Sequence, residues 1–305
     1  MPARKGSAMK RFAALVIGAA LLLPMPVLYA GQEDCFKILS EDDLVCRAEY
    51  CPGVFDAGDS VRFRMAPGIS ERKLMGPPVT WMNITVLDGD RPVLDLPDSF
   101  YIGYSLLAQG DVRYWMIGEY TGGMHCCARY HFFSRPAPEH TLRYLGATAG
   151  SAQGIDEAPF SCRDGTLFLQ DWDTRFLYFH TPYAQSLLQF PTHYRLTPSS
   201  LSIDNLPFRD RYLDEVKTVE ADMKRAVSNR ESRPVSLLLG KDKEAFFSDE
   251  LGQFLVKRTL LYLYAKQDKM AWKTLERDVR KLYRQDSGLK PIRTEIEKIL
   301  AEGPY

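Results

Sequence analysis

Two adjacent cysteines, Cys126 and Cys127, constrain the fold of this chain more than any other feature of its sequence. They end the run Thr121–Cys127 (TGGMHCC) and are followed by a strand-like aromatic segment. Neighbouring side chains of a strand point to opposite faces of its sheet, so the two thiols would point in opposite directions. Such a pair either ties one strand to two different neighbours or offers soft ligands to a metal ion. The redox compartment decides between these two roles.

The first thirty residues have the pattern of an export signal. Lys10 and Arg11 form a basic start, residues 12–23 are an apolar run, and Ala30 offers a small residue for cleavage. The apolar run is shorter than the ~20 residues that a membrane span needs. We therefore predict that residues 1–30 are a cleaved signal peptide. The mature chain is then periplasmic or secreted and has no membrane span.

Cysteine usage agrees with export. An even number of cysteines in an exported chain predicts disulfides, and all six lie in the first two thirds of this sequence: Cys35, Cys46, Cys51, Cys126, Cys127 and Cys162. Cys46 and Cys51 are close enough for a local loop. We expect one thiol of the adjacent pair to reach Cys162, and the other to reach the N-terminal cysteines.

Residues 31–205 are predicted to form a disulfide-stapled antiparallel β domain. Short segments with period-2 alternation or β-branched and aromatic residues are separated by turn signals such as Asp88-Gly89-Asp90. Their spacing is typical of a meander, a sandwich or a partial propeller-like array. The predicted strands are 61–65, 79–87, 91–96, 101–107, 112–120, 129–133, 141–145, 167–169, 175–180 and 186–190.

Residues 206–305 change to a helical period, and we predict a small C-terminal helical bundle, which makes the chain α+β. Apolar residues recur at spacings of three and four from Leu213 to Val227. Three further helices follow, with Ser248 predicted to cap the second and Asp268 the third, and with Pro291 in the first turn of the fourth.

Charge is unevenly distributed between the two parts. Residues 31–205 carry 14 Lys+Arg against 22 Asp+Glu, whereas residues 206–305 carry 21 against 17. The excess of positive charge in the second part is spread over helical faces, and nucleic-acid binding needs a clustered basic face. The sequence therefore does not predict a nucleic-acid partner.

His125, Cys127 and His131 share one face if residues 125–133 form a single strand. We predict the opposite face, which carries Ala128, to be the core side. With Cys127 reduced, the His125 face could bind zinc or copper. A disulfide-bonded Cys127 supplies no thiolate, so this metal site requires the reduced chain.

Other chemical signals in the sequence are weak. It contains neither a Cys-x-x-Cys motif nor a Gly-x-Ser-x-Gly elbow, so it favours a protein that is not an enzyme, and it predicts no cofactor. The aspartates of Asp88-Gly89-Asp90 and Asp171-Trp172-Asp173 are predicted to cap backbone amides in turns. His140, His180 and His193 are predicted to be strand-edge or turn residues.

The run Thr121–Cys127 resembles the Thr-Gly-Gly-x-His-Cys-Cys motif of exported bacterial proteins of uncharacterised function. The later runs Asp173–His180 and Tyr183–Ser186 are similar to segments that follow the motif in those proteins. There the motif is associated with an Asp-rich, blade-like repeat of integrin-type propellers, whereas Ser161–Thr166 of this chain lacks the aspartate ladder. The resemblance covers about residues 110–200 and implies a compartment and an architecture, but no activity.

Two classes of function follow from the sequence. The first is an exported, non-catalytic binding or interaction protein, in which the β domain offers a binding surface and the helical domain docks a protein partner of the cell envelope. A groove shared by the two domains, or exposed aromatic side chains on the β domain, would favour this class. The alternative is a metal-handling or thiol-dependent protein centred on His125, Cys127 and His131.

Overall fold

The computed structural model describes residues 35–42, 53–68, 82–120, 128–149, 159–176, 179, 186–231, 246–247, 249–283 and 289–301. Within these residues, twelve strands are followed by four α-helices, and all strand pairs are antiparallel. This confirms the predicted α+β class. The signal segment, Cys46, Cys51 and the Thr121–Cys127 run lie outside the described residues.

The strands form three antiparallel sheets, which we call the first, second and third sheet. The first sheet contains β2 (Gly53–Asp56), β3 (Val61–Pro67), β4 (Met82–Asp88) and the first half of β5 (Arg91–Gln109). The second contains β1 (Lys37–Asp42), the second half of β5, β6 (Val112–Tyr120), β7 (Ala128–Pro136) and β8 (Arg143–Ala147). The third contains β9 (Phe160–Arg163), β10 (Thr166–Asp173), β11 (Phe190–Thr197) and β12 (Ser200–Ile203).

Strand β5 belongs to two sheets because its backbone is irregular near its middle. Asp98 has a φ of 47° and Gly103 a φ of 145°, and the pairing register shifts between Tyr101 and Gly103. The side-chain oxygen of Asn83 accepts a hydrogen bond from the Asp98 backbone N–H at 3.1 Å, which stabilises this conformation. Such irregularities bend a strand, and here one strand passes from the first sheet to the second.

The second sheet is buried on both faces. In β6, Trp115 and Ile117 pack into a core shared with the first sheet, whereas Tyr114 and Met116 pack into a core shared with the third. The third sheet has the same arrangement, since Leu167 belongs to the core shared with the second sheet, and other residues of β10 and β11 pack on the helices. The order of layers is therefore first sheet, second sheet, third sheet, helices.

The helices are α1 (Arg209–Glu231), α2 (Glu250–Tyr264), α3 (Asp268–Tyr283) and α4 (Leu289–Leu300), and a short 3-10 helix (Leu206–Phe208) precedes them. Helix α2 is capped by the Asp249 side chain, which accepts from the Gly252 backbone N–H, and not by Ser248 as predicted. A Cβ at position 252 would overlap the carbonyl oxygen of Phe246, so only glycine fits this approach. Asp268 lies inside α3, so it is not the cap preceding that helix.

Helix α2 is central among the helices and is held to the third sheet by polar contacts as well as by the shared core. Asp173, at the end of β10, accepts hydrogen bonds from the Tyr264 hydroxyl and from the Arg175 guanidinium, with Arg175 Nη2 at 2.6 Å. The side-chain oxygen of Gln253 accepts from the Leu187 backbone N–H at 2.9 Å. No described helix has the length and apolar character needed to cross a membrane.

The cysteine pairing differs from the prediction. Cys162 forms a disulfide with Cys35, with a Cα–Cα distance of 6.1 Å, and not with Cys126 or Cys127. The segment that leads into β1 lies beside β9, because Phe36 and Phe160 are in edge-to-face contact. The disulfide therefore joins the start of the second sheet to the edge of the third.

Several element boundaries also differ. The segment 186–189 is not a strand, and β11 begins only at Phe190. In that segment the Leu187 backbone N–H donates to Gln253 of α2 instead of to a neighbouring strand. Strands β1, β2, β9 and β12 and most of β11 were not predicted. Arg175 and Phe176 lie in a turn where a strand was expected.

Candidate functional site

Strand β7 carries His131, the described member of the predicted metal set; His125 and Cys127 lie outside the described residues. Arg129 and His131 share one face of β7, as predicted. The opposite face, with Ala128, is a core side as predicted. The His131 face is also covered, because Phe133 on that face packs in the core shared with the first sheet. The His131 side chain is only 4% exposed.

His131 belongs to a chain of hydrogen-bonded side chains from β5, β6, β7 and β8. Its Nε2 lies 2.8 Å from Glu119 Oε1, and its Nδ1 lies 3.0 Å from the hydroxyl of Tyr144. The Ser99 hydroxyl donates to the other carboxylate oxygen of Glu119. Ser99, Glu119 and His131 are buried, whereas Tyr144 is 38% exposed, so the chain reaches the surface at its phenol end.

The pKa shifts of Glu119 and Tyr144 show which of these hydrogen-bonded side chains carry a proton. Burial acts to raise the pKa of Glu119, but the hydrogen bonds from His131 and Ser99 outweigh it, with smaller contributions from the charges of His131 and Arg129, and hold that pKa below its usual value. Burial raises the pKa of Tyr144; Arg129 opposes this rise, and the charge of Glu119 adds to it. Glu119 is therefore a carboxylate that accepts hydrogen bonds, and Tyr144 keeps its proton.

The order carboxylate, imidazole, hydroxyl is that of an orienting acid, a base and a nucleophile. A nucleophilic hydroxyl has to lose its proton to the base, and the raised pKa of Tyr144 works against that loss. The geometry and the pKa directions favour a polar clamp, which joins four strands, over an activated nucleophile.

A metal ion at His131 would have to displace one of these hydrogen bonds. Both ring nitrogens of His131 already have partners, Glu119 and Tyr144. In the described part of the chain, no group of three or more His, Cys, Asp or Glu side chains is placed to hold a metal ion.

The polar clamp has residues on strands β6 and β7, which the Thr121–Cys127 run joins in sequence. Glu119 pairs in register with Arg129, and Tyr120 pairs with Ala128, so the run joins the paired ends of β6 and β7. The clamp residues Glu119 and His131 therefore lie on the two strands that the Thr121–Cys127 run connects.

A second candidate site is a cleft between the third sheet and helices α1 and α2. Its volume is about 400 Å³. One wall is formed by Trp172 and Pro191, which are cross-strand partners in β10 and β11. The remaining lining residues come from the segment before β11 and from the two helices: Ser186, Leu187, Gln189, Arg211, Tyr212, Glu215, Lys257 and Leu261.

Contacts between elements hold the cleft open. Arg211 of α1 donates to the side-chain oxygen of Gln170 on β10. The hydroxyl of Tyr212 donates to the backbone carbonyl of Pro191 at 2.8 Å, which fixes α1 against β11. Lys257 Nζ lies 3.0 Å from Glu215 Oε1 and thereby joins α2 to α1. The cleft is therefore preformed by contacts that do not need a ligand.

Below the cleft lies a buried histidine. His193 is fully buried, its ring stacks on Phe208 with a centroid distance of 3.5 Å, and its Nδ1 lies 2.9 Å from the Tyr212 hydroxyl. Burial lowers the pKa of His193 to about 3, with a further lowering by the charge of Arg211. The prediction of a strand-edge or turn residue is thus wrong for His193. His140 lies exposed beside a turn, as predicted, and His180 lies outside the described residues.

The predicted turn aspartates have mixed outcomes. Asp88 accepts from the Leu142 backbone N–H at 3.0 Å and pairs with Arg135 at 2.5 Å, so it joins the first sheet to the second. Asp171 and Asp173 lie within β10 and are buried. Asp173 nevertheless caps a backbone amide as predicted, because its Oδ1 accepts from the Arg175 backbone N–H at 3.0 Å in the turn that follows β10. Asp173 is used to hold α2, as described above.

Sequence reasoning missed the cleft. A signal was present, since Arg211 and Glu215 on α1, and Lys257 and Leu261 on α2, are each four residues apart and so share a helix face. What the sequence did not show is that these two faces meet β10 beside Trp172. Comparison of the chain with models of protein families, with curated proteins and with solved structures finds no match.

Proposed function

We propose that this is an exported, periplasmic binding protein that holds a small molecule in the cleft between the third sheet and helices α1 and α2. The observation that carries the proposal is the preformed cleft itself, which both parts of the chain build. It is the kind of shared groove that a binding protein requires. The chemistry of its lining supports binding, because it combines apolar and aromatic walls with a few polar groups.

The size of the cleft favours a small molecule over a protein segment. Its volume of about 400 Å³ falls among the ~300–1,000 Å³ of typical ligand pockets. Trp172 supplies a flat wall, and Leu261 lies buried in the lining, so an apolar ring could be largely removed from water there. A protein partner in the cell envelope remains a separate prediction.

Two observations support export. The disulfide between Cys35 and Cys162 is of the kind that persists in oxidising compartments such as the periplasm. Residues 1–30 have the basic, apolar and small-residue pattern of a signal peptide. Both are consistent with the resemblance of Thr121–Cys127 to exported proteins.

The test uses a neutral fluorescent probe, N-phenylnaphthylamine, and the mature chain with its disulfides intact. We expect saturable binding with energy transfer from Trp172 to the probe. The transfer should fall strongly in Trp172→Phe and only slightly in the matched variant Trp272→Phe, since Trp272 lies on α3 outside the cleft.

A blocking variant gives the second arm of the test. Leu187→Trp fills the cleft and should abolish probe binding, whereas Leu206→Trp, at a position that is 56% exposed and outside the cleft, should retain it. Far-ultraviolet circular dichroism establishes that each variant is folded. Equal probe binding by wild type and both pairs of variants would show that the cleft is not the binding site.

A further inference from the structure

The rim of the cleft carries an excess of positive charge. Its lining has two cations, Arg211 and Lys257, and one carboxylate, Glu215. Glu215 is already paired with Lys257 at 3.0 Å. Because Glu215 is paired with Lys257, Arg211 has no carboxylate partner among the described residues, and it donates only to the amide oxygen of Gln170.

Arg211 has donors to spare. Its only described side-chain contact is the hydrogen bond from Nη1 to the amide oxygen of Gln170. A guanidinium has five N–H donors in a rigid planar arrangement and binds carboxylates through two of them at once. The contact with Gln170 holds the guanidinium at the cleft without neutralising it. Lys257 likewise has three donors, of which the ion pair with Glu215 uses one.

The other side of the cleft is apolar. Trp172 and Pro191 stand side by side on neighbouring strands, and Leu187 and Leu261 continue this surface. A flat hydrocarbon body packs well against an indole face. The cleft thus has an apolar wall and a cationic rim within one small volume.

We propose that the ligand of this cleft is a small amphiphilic monoanion. Its flat apolar body lies against Trp172 and Pro191, and its carboxylate or other singly charged acidic group binds Arg211, with Lys257 as a second donor. This inference rests on the proposed function, because it names the class of molecule that the same cleft takes.

A pair of probes with nearly the same ring system tests the charge requirement. Anilinonaphthalene sulfonate carries one negative charge, and N-phenylnaphthylamine carries none. We expect the anionic probe to bind wild type about tenfold more tightly, since one charge-assisted hydrogen-bonding site is worth about that factor. Arg211→Gln should remove this advantage, so that the anionic probe loses about tenfold in affinity and the neutral probe loses markedly less.

The matched control is Arg209→Gln, which makes the same charge change at an exposed position on the same helix but outside the cleft. It should leave both affinities unchanged. Ionic strength gives a measurement that needs no variant: salt should weaken binding of the anionic probe to wild type and leave the neutral probe unaffected.

The outcomes separate the two proposals. If both probes bind equally and Arg211→Gln changes neither, the charge inference is overturned while the binding function stands. If neither probe binds wild type, the proposed function itself fails. Equal losses in Arg209→Gln and Arg211→Gln would mean that long-range charge, and not a site at Arg211, attracts the anion.

Discussion

Removing the carboxylate of Glu119 should cost far more stability than removing an exposed carboxylate, and the cost can be estimated from the contacts of Glu119. In Glu119→Leu the volume is nearly kept, but the His131 Nε2–H loses its acceptor at a buried position, and the Ser99 hydroxyl keeps only its longer contact with the Pro97 carbonyl oxygen at 3.3 Å. Each unpaired buried donor costs about 1–3 kcal/mol. We therefore expect the free energy of unfolding to fall by about 4 kcal/mol at neutral pH.

Glu119→Gln should be milder. The amide keeps one acceptor oxygen and the shape of the side chain, and it loses the charge assistance of the hydrogen bonds, so we expect a loss of about 1–2 kcal/mol. The sign of the pH dependence follows from the pKa of Glu119, which is lowered in the folded state. The advantage of wild type over Glu119→Gln is fully present above the unfolded pKa of about 4.3 and is lost as the pH falls through the lower folded pKa.

Urea unfolding followed by tryptophan fluorescence, with the disulfides intact, measures these differences at pH 7 and at pH 3. Glu139 provides the control, because it pairs with Arg143 at the surface and its side chain is 49% exposed. Glu139→Leu should change stability by no more than about 0.5 kcal/mol. The reasoning is refuted if Glu119→Leu is as stable as Glu139→Leu at pH 7. It is also refuted if the gap between wild type and Glu119→Gln widens on acidification.

Two further predictions concern the disulfide and the buried histidine. Cys35→Ser and Cys162→Ser should each lower stability by about 2–5 kcal/mol, and the double variant by no more than either single one. Each single variant should show one additional titratable thiol when denatured without reductant; no new thiol in Cys35→Ser would contradict the pairing. His193 has a pKa lowered to about 3 by burial, so the unfolded state takes up its proton first as pH falls below about 6.5. Wild type should therefore lose about 2 kcal/mol more than His193→Gln between pH 7 and pH 5, and parallel pH profiles in urea titrations would disprove this.

The regular parts of the fold were predictable because their signals are local. The alternation in Val61–Met65 and the spacing from Leu213 to Val227 each report one buried face, and the structure confirms a strand and a helix there. The turn at Asp88-Gly89-Asp90 was also found where predicted. The short edge strands β2 and β12 were missed, because four residues are too few to show a period.

The wrong cysteine pairing has a different cause. The choice of partner for Cys162 depends on which sheet edge lies beside β9, and that is a contact between layers. The start of β1 lies there, brought by its pairing with β5 and by the contact of Phe36 with Phe160. Cys35 and Cys162 are 127 residues apart. A local pattern carries no information on a contact of that range.

The central position of the second sheet explains why its polar residues were hard to interpret from sequence. A strand between two cores is apolar on both faces, as residues 114–117 of β6 are, so alternation does not distinguish a core face from a solvent face there. Any polar group on such a strand must find its partners inside the protein, because an unpaired buried group is costly. Glu119 and His131 meet this requirement by binding each other. The same requirement explains why His131 is buried here without a metal ion. At the boundary between the third sheet and the helices the cleft is open, and there a charged side chain such as Arg211 keeps donors for a ligand.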